Sequence, residues 1–216
     1  IEAKKVTRFG TERVIFAHPC GIPHELVESD SDKREPITNA SQGIGKDHGI
    51  KGIYGSVVAV TDKTAMNDFL TIALPLELEA STDDGDVYRV PDSSGVIQRV
   101  EVITDRQSPQ GTWTLSGGTI HHLALNTGDE ESQLKLRAHI EGLGFTDISE
   151  QKDRNYFKSC YVRSPGGALF ELAWTTPEGW TKDEPAGSIG KTLVFPPWFK
   201  DREDELREGL EQADFV

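Results

Sequence analysis

From Gly118 to Trp174 the alternation of apolar and polar positions changes period several times, and each change marks an element. Thr119–Leu125 is a short apolar run, predicting a strand, and it carries two adjacent histidines. Glu130–Leu143 has helical spacing, with Leu134, Leu136, Ile140 and Leu143 apolar, an acidic first turn, and Gly144 where helices commonly stop. Phe145–Ser149 predicts a weak strand and Tyr156–Arg163 a stronger one; a Ser164-Pro165-Gly166-Gly167 turn then leads into a last strand, Ala168–Trp174. The order is strand, helix, three strands.

Strand parity assigns the faces. Phe170, Leu172 and Trp174 share one face, the one expected under the helix, and Leu169, Glu171 and Ala173 share the other. With Leu123 and Leu125 facing the helix, His122 and Ala124 point the same way as Glu171, and His121 points the opposite way unless a bulge intervenes. Cys160 and Val162 are expected to look inward and Ser159 and Tyr161 to face the cup. The expected product is a concave surface displaying an imidazole, a carboxylate and a phenol.

The plan recurs along the chain. In Ile50–Arg106, Ile53 precedes Ile120 and Asp62 precedes Asp129 by the same 67 positions, which sets Tyr54 and Gly55 opposite His121 and His122; beyond a longer hairpin, Glu101 precedes Glu171 by 70. Lys63–Leu70 predicts this copy's helix and Asp83-Asp84-Gly85 a turn. It has the carboxylate position without the imidazole and reads as a structural module. Thr11–Val27 reads as strand, HPCG turn, strand, and here Arg8, Pro19, Gly21 and Glu25 each lie 146 positions before Arg154, Pro165, Gly167 and Glu171. The chain is therefore expected to begin inside a module, without that module's first strand and helix.

The fold class expected is α+β, built of paired βαβββ modules. Residues 1–29 form the hairpin of the incomplete module, 30–49 a polar linker, 50–106 a complete module, 107–117 a connector, 118–176 the module with the histidines, and 177–216 a tail. In the connector, Trp113 is expected to pack between modules. In the tail, Trp180 and Trp198 are expected to cover core or to close a cup, and Asp201–Gln212 to form a charged helix capped near Asp201. His18, His24 and His48 fall in loops and read as solvated side chains.

Composition narrows the function. A chain of 216 residues can bury a sizeable core, and a formal net charge of -13 with a pI near 4.9 argues against nucleic acid or an anionic membrane as partner. There is no apolar run of membrane-spanning length, and the first residues read as neither a charged-then-apolar signal nor a transit peptide. Two cysteines, Cys20 and Cys160, give no disulfide framework, which points to a reducing cytoplasm.

His122 and Glu171 on one sheet face supply two of the three groups of the facial triad used by non-haem ferrous oxygenases; a hydrogen-bonded surface pair is the plainer alternative. The module resembles the last βαβββ unit of the vicinal oxygen chelate superfamily of glyoxalases, bleomycin-resistance proteins and extradiol dioxygenases. More narrowly, GTIHHLAL, then KDRNYFKSCYVRSPGGALFELAW, then DEP and IGKTLVFPPWF, are similar to ring-cleaving dioxygenases acting on hydroquinones. That resemblance implies Fe(II), or Mn(II) or another divalent ion, held by His122 and Glu171, with His121, Arg154 and Tyr161 around an aromatic substrate that reacts with O2. It also implies a third, histidine ligand from a segment ahead of this chain, so the chain alone is expected to hold iron weakly.

Each substrate-side residue has a structural alternative: Arg154 as partner of Glu150 or Asp153, Tyr161 as a packed strand aromatic, His121 as a core histidine. A glyoxalase-type metal-dependent lyase or isomerase and a metal-free module of the bleomycin-resistance type remain open, because a fold does not fix a chemistry. Sheet edges left open by an incomplete module are expected to be covered by a second copy of the chain or by the missing N-terminal module.

Overall fold

The computed structural model describes residues 1–91, 97–107 and 117–210. The chain divides into two compact units, one of Ile1–Leu123 with Arg163–Leu169, the other of Ala124–Val162 with the chain from Phe170 on. Among the described residues no helix is long and apolar enough to cross a membrane.

The first unit opens with an antiparallel meander of β1 (Ala3–Arg8), β2 (Thr11–Ala17) and β3 (Pro23–Val27). Phe9 and Gly10 make the first hairpin with φ of 51° and 71°, the left-handed pair that a two-residue turn needs to match strand twist. The predicted hairpin 11–27 is thus present, with one more strand ahead of it. Residues 30–49 form a loop with two short 3₁₀ turns and no buried residue.

The copy expected at 50–106 follows as β4 (Gly55–Val60), α1 (Thr64–Asp68), β5 (Glu77–Thr82), β6 (Gly85–Val90) and β7 (Gln98–Thr104). The spatial order is β4-β7-β6-β5, with β4 parallel to β7 and the other pairs antiparallel. The helix α1 widens into a π-helical turn over Phe69–Ala73. Met66, Phe69, Leu70 and Ala73 recur at one helical face and are buried, together with Val60, Val87, Tyr88, Val100 and Val102 from the strands. Removing one such large side chain from water is worth about 1.5–3 kcal/mol. The buried Tyr88 hydroxyl donates to Asn67 Oδ1 at 3.1 Å, and burial, with Asp86 and Asp68 nearby, pushes its phenol up to about 12. At the Asp83-Asp84-Gly85 turn only glycine fits the last position: φ is +142° and a Cβ would lie 2.1 Å from the carbonyl oxygen of Val102.

The second unit holds most of a four-stranded sheet, β8 (Leu123–Asn126), β9 (Lys152–Asp153), β10 (Phe157–Arg163) and β11 (Leu169–Thr175), ordered β8-β11-β10-β9, with α2 (Glu130–Gly142). Asp129 caps α2 by accepting from the Ser132 amide at 2.7 Å, which holds its carboxyl below the usual range.

Four expectations need correction. The strand expected over Thr119–Leu125 begins only at Leu123, because Ile120 lies 68% exposed with no sheet to bury it; His121 and His122 precede the strand in irregular backbone. In α2, Leu134 and Leu143 are exposed and Gln133 is buried in their stead, its amide needed by two strand carbonyls. Phe145–Ser149 is a turn and extended segment rather than a strand. The C-terminal helix is a 3₁₀ turn, Pro197–Arg202, followed by α3 (Glu203–Gly209); its first residue is preceded by Arg202 and not capped by Asp201. Trp113 and the end of the expected helix at Gln212 lie outside the described residues.

Candidate functional site

In the second unit β11 carries Glu171 between Phe170 and Leu172, both fully buried as strand parity required. Glu171 is itself only 2% exposed, so it is a buried carboxylate rather than a surface one. A buried carboxylate must find donors or a cation. The Tyr161 hydroxyl donates to Glu171 Oε1 at 3.1 Å, and Ser159 Oγ donates to the Tyr161 oxygen at 3.1 Å. Both donors stand on β10, two residues apart and therefore on one face. Cys160 and Val162 on the opposite face are buried, as expected.

Arg154 lies in the turn before β10, its guanidinium carbon 5.5 Å from the centre of the Tyr161 ring, a cation–π arrangement. It is not the partner of Glu150, which pairs with Arg137 at 2.8 Å, and Asp153 instead accepts from the Asn155 amide at 2.7 Å. The turn is shaped by Asn155 in the left-handed region, φ 68°. Asp183 in the tail accepts from the Tyr156 hydroxyl and from Asn155 Nδ2, and Trp180 stacks on Tyr156 with centroids 5.1 Å apart. That contact with Asp183, with burial second, raises the Tyr156 phenol. Tyr161, Arg154 and Glu171 are thus brought together, with Ser159 as a member that residue spacing alone did not single out.

In the first unit His121 and His122 meet edge to face, with ring centroids 4.9 Å apart at 87° and their Nδ1 atoms 2.7 Å apart. A contact of that kind makes one Nδ1 a donor and the other an acceptor. Both rings line a cavity of about 1900 Å³ with Tyr54, Phe16 and His24; its size marks it as an open bay beside the 300–1,000 Å³ typical of ligand pockets. Among the described residues, no three His, Cys, Asp or Glu side chains come together as a group able to hold a metal.

The first unit has a carboxylate centre of its own. Glu101 on β7 is 2% exposed and receives both ends of the Arg13 guanidinium, Nη1 and Nη2 each at 2.6 Å. Nη1 also donates to Glu25 Oε2 at 2.8 Å, and Arg8 donates to the other oxygen of Glu25 at 2.5 Å. Burial works against the charge of Arg13, yet its hydrogen bonds to Glu101 and Glu25 outweigh burial and raise its pKa further.

No family model matches the chain. It is 35% identical over 202 residues to chlorohydroquinone/hydroquinone 1,2-dioxygenase of Sphingobium indicum, covering 92% of this chain and 61% of that protein. It is 33% identical over 208 residues to MhqO of Bacillus subtilis, a candidate ring-cleaving dioxygenase, covering 95% of this chain and 63% of that one. A crystal structure of a candidate dioxygenase from Bacillus subtilis superposes with a TM-score of 0.83 at 28% identity, over 100% of this chain and 66% of its own. The chain spans somewhat under two thirds of the curated relatives it matches.

Proposed function

We propose, from this kinship with ring-cleaving dioxygenases and the vicinal oxygen chelate plan of its βαβββ modules, that the chain carries two metal ligands, His122 and Glu171, of a ferrous enzyme that opens hydroquinone-type rings with O2. The observation that supports it most is the buried Glu171 carboxylate, joined to Tyr161 and overlooked by Arg154 at the positions the motif resemblance assigns to them. The donor set fits a ferrous ion in kind, neutral imidazole with carboxylate, and is one ligand short of a facial triad. We assign the third ligand to a histidine outside this chain. A ferrous ion held by His122, Glu171 and that third ligand would supply the electron transfer that lets an aromatic diol react with dioxygen.

The chain's own residues have separable tasks. Glu171, buried to 2% exposure, offers a charge-balancing carboxylate whose orientation Tyr161 fixes. Arg154 carries a permanent positive charge beside Tyr161 and favours phenolate over phenol in a substrate held there. The contact between His121 and His122 sets their tautomers: with His122 donating from Nδ1, its Nε2 presents a lone pair to a metal, and His121 keeps a proton on Nε2 for a substrate oxygen. Its setting is the cytoplasm, and its open sheet edges are covered by a second copy or by the module that supplies the third ligand.

The test is oxygen uptake and ring absorbance with hydroquinone after anaerobic loading with Fe(II), for this chain alone and for this chain joined to the segment encoded upstream. Only the joined protein is expected to hold one chelator-resistant iron and consume one O2 per ring. Stoichiometric iron in the chain alone would refute the shared-ligand reading. Isomerisation of a hemithioacetal without oxygen uptake would replace the dioxygenase by a glyoxalase-type enzyme.

A further inference from the structure

We infer that Arg13, Glu25 and Glu101 form a cation centre whose cation is a side chain: the guanidinium of Arg13 fills the place that a divalent ion would take between two carboxylates, so this pair of carboxylates carries no metal. This goes beyond the dioxygenase reading and does not depend on it.

Three observations converge. Glu25 and Glu101 stand 146 and 70 positions ahead of Glu171, so they are the counterparts of that carboxylate in the other two repeats. The same 146-residue offset sets Arg13 opposite Ser159, the small hydroxyl residue beside Tyr161 and Glu171. Where one repeat has a buried hydroxyl, the other puts a guanidinium.

Next, the geometry is that of a loaded centre. Arg13 is 3% exposed and reaches three carboxylate oxygens at 2.6, 2.6 and 2.8 Å, from two strands of two different sheets. Finally, its Nε is buried without a hydrogen-bond partner among the described residues, although three of the four N–H groups on Nη1 and Nη2 are aimed at the carboxylates. The guanidinium is held by the charges in front of it and by the Phe9 and Tyr54 rings, 5.4 and 5.9 Å from its carbon, with one donor left unsatisfied. With Arg8 on Glu25, the two carboxylates and two guanidiniums balance. Shortening Arg13 leaves two carboxylates facing one another around an arginine-sized space, and oxygen donors of that kind suit a hard divalent ion.

The experiment replaces Arg13 with its counterpart, Arg13→Ser, in a Glu171→Gln background, so that Mn(II) counted by loss of the free-ion paramagnetic resonance signal reports on this centre. With Arg13 present, the parent should gain no Mn(II) and should melt at the same temperature with the ion or with chelator. Arg13→Ser should take up one Mn(II) per chain and melt several degrees higher with the ion than with chelator. Adding Glu101→Gln should abolish both effects. If Arg13→Ser is insoluble without the ion, recovery by Mn(II), or by Glu101→Gln through relief of repulsion, supports the proposal. A folded Arg13→Ser chain indifferent to Mn(II), insolubility that neither remedy relieves, or a parent that binds the ion with Arg13 in place would overturn it.

Discussion

Gln133→Leu should lower the melting temperature by about 5–15 °C. Gln133 is fully buried in α2, and its Nε2 donates to the carbonyls of Lys158 on β10 and Leu172 on β11, at 2.9 and 2.8 Å, while its Oε1 accepts from Gln151 at 2.8 Å. Leucine has similar bulk and no donor. Each strand carbonyl that loses a buried partner costs about 1–3 kcal/mol. The added apolar surface returns about 1–2 kcal/mol. The balance is about 2–4 kcal/mol, and for a chain of this size one kcal/mol moves the midpoint by about 2–4 °C. Thermal unfolding followed by far-ultraviolet circular dichroism measures it. A fall of less than 2 °C would show that water replaces the amide freely, and that α2 does not fix the spacing of the strands bearing Ser159 and Glu171.

Tyr161→Phe removes the donor to Glu171 and the acceptor of Ser159; in the iron-loaded joined protein, turnover should fall by about 10–100-fold, on the usual scale of a lost hydrogen-bond partner of a metal ligand, with folding intact by circular dichroism. With Ellman's reagent one thiol should react at once, the exposed Cys20, and the second only on unfolding, since burial raises the Cys160 thiol and keeps it protonated. The Asp32 carboxyl is held at about 2, against an ordinary 3.8, chiefly by the Arg34 side chain and amide. A depressed carboxylate stabilises above its unfolded pKa and loses that effect as protons bind, so Asp32→Asn should lower stability at neutral pH and flatten the fall in stability between about pH 4 and pH 2, the two proteins converging at the acid end.

Much of the second unit was legible because periodicity and burial agree there. The helix Glu130–Gly142, the strands β10 and β11, and the burial of Cys160, Val162, Phe170 and Leu172 follow directly from spacing. Parity fails for the histidines because it presumes a strand, and Thr119–His122 has no strand pairing to make one. The buried face of α2 is not legible from spacing, because a glutamine buried for its hydrogen bonds looks like any solvated polar residue in one dimension. The position of Glu101 was visible through its 70-residue offset, but nothing local marks Arg13 as buried; its partner on β7 lies 88 residues away. Asp183 was hidden in the same way, since its contact with Tyr156 spans 27 residues and depends on how the tail returns.

The parallel seam between β4 and β7 also bears on ancestry. Because Gly55 pairs with Arg99 and Val60 with Thr104, the polypeptide enters this copy at one end of the seam and leaves from the other, about 20 Å further along. A gene segment doubled in tandem would thus produce descendants that string together head to tail, each closing its own ladder before the next begins, and neither would have to be rethreaded.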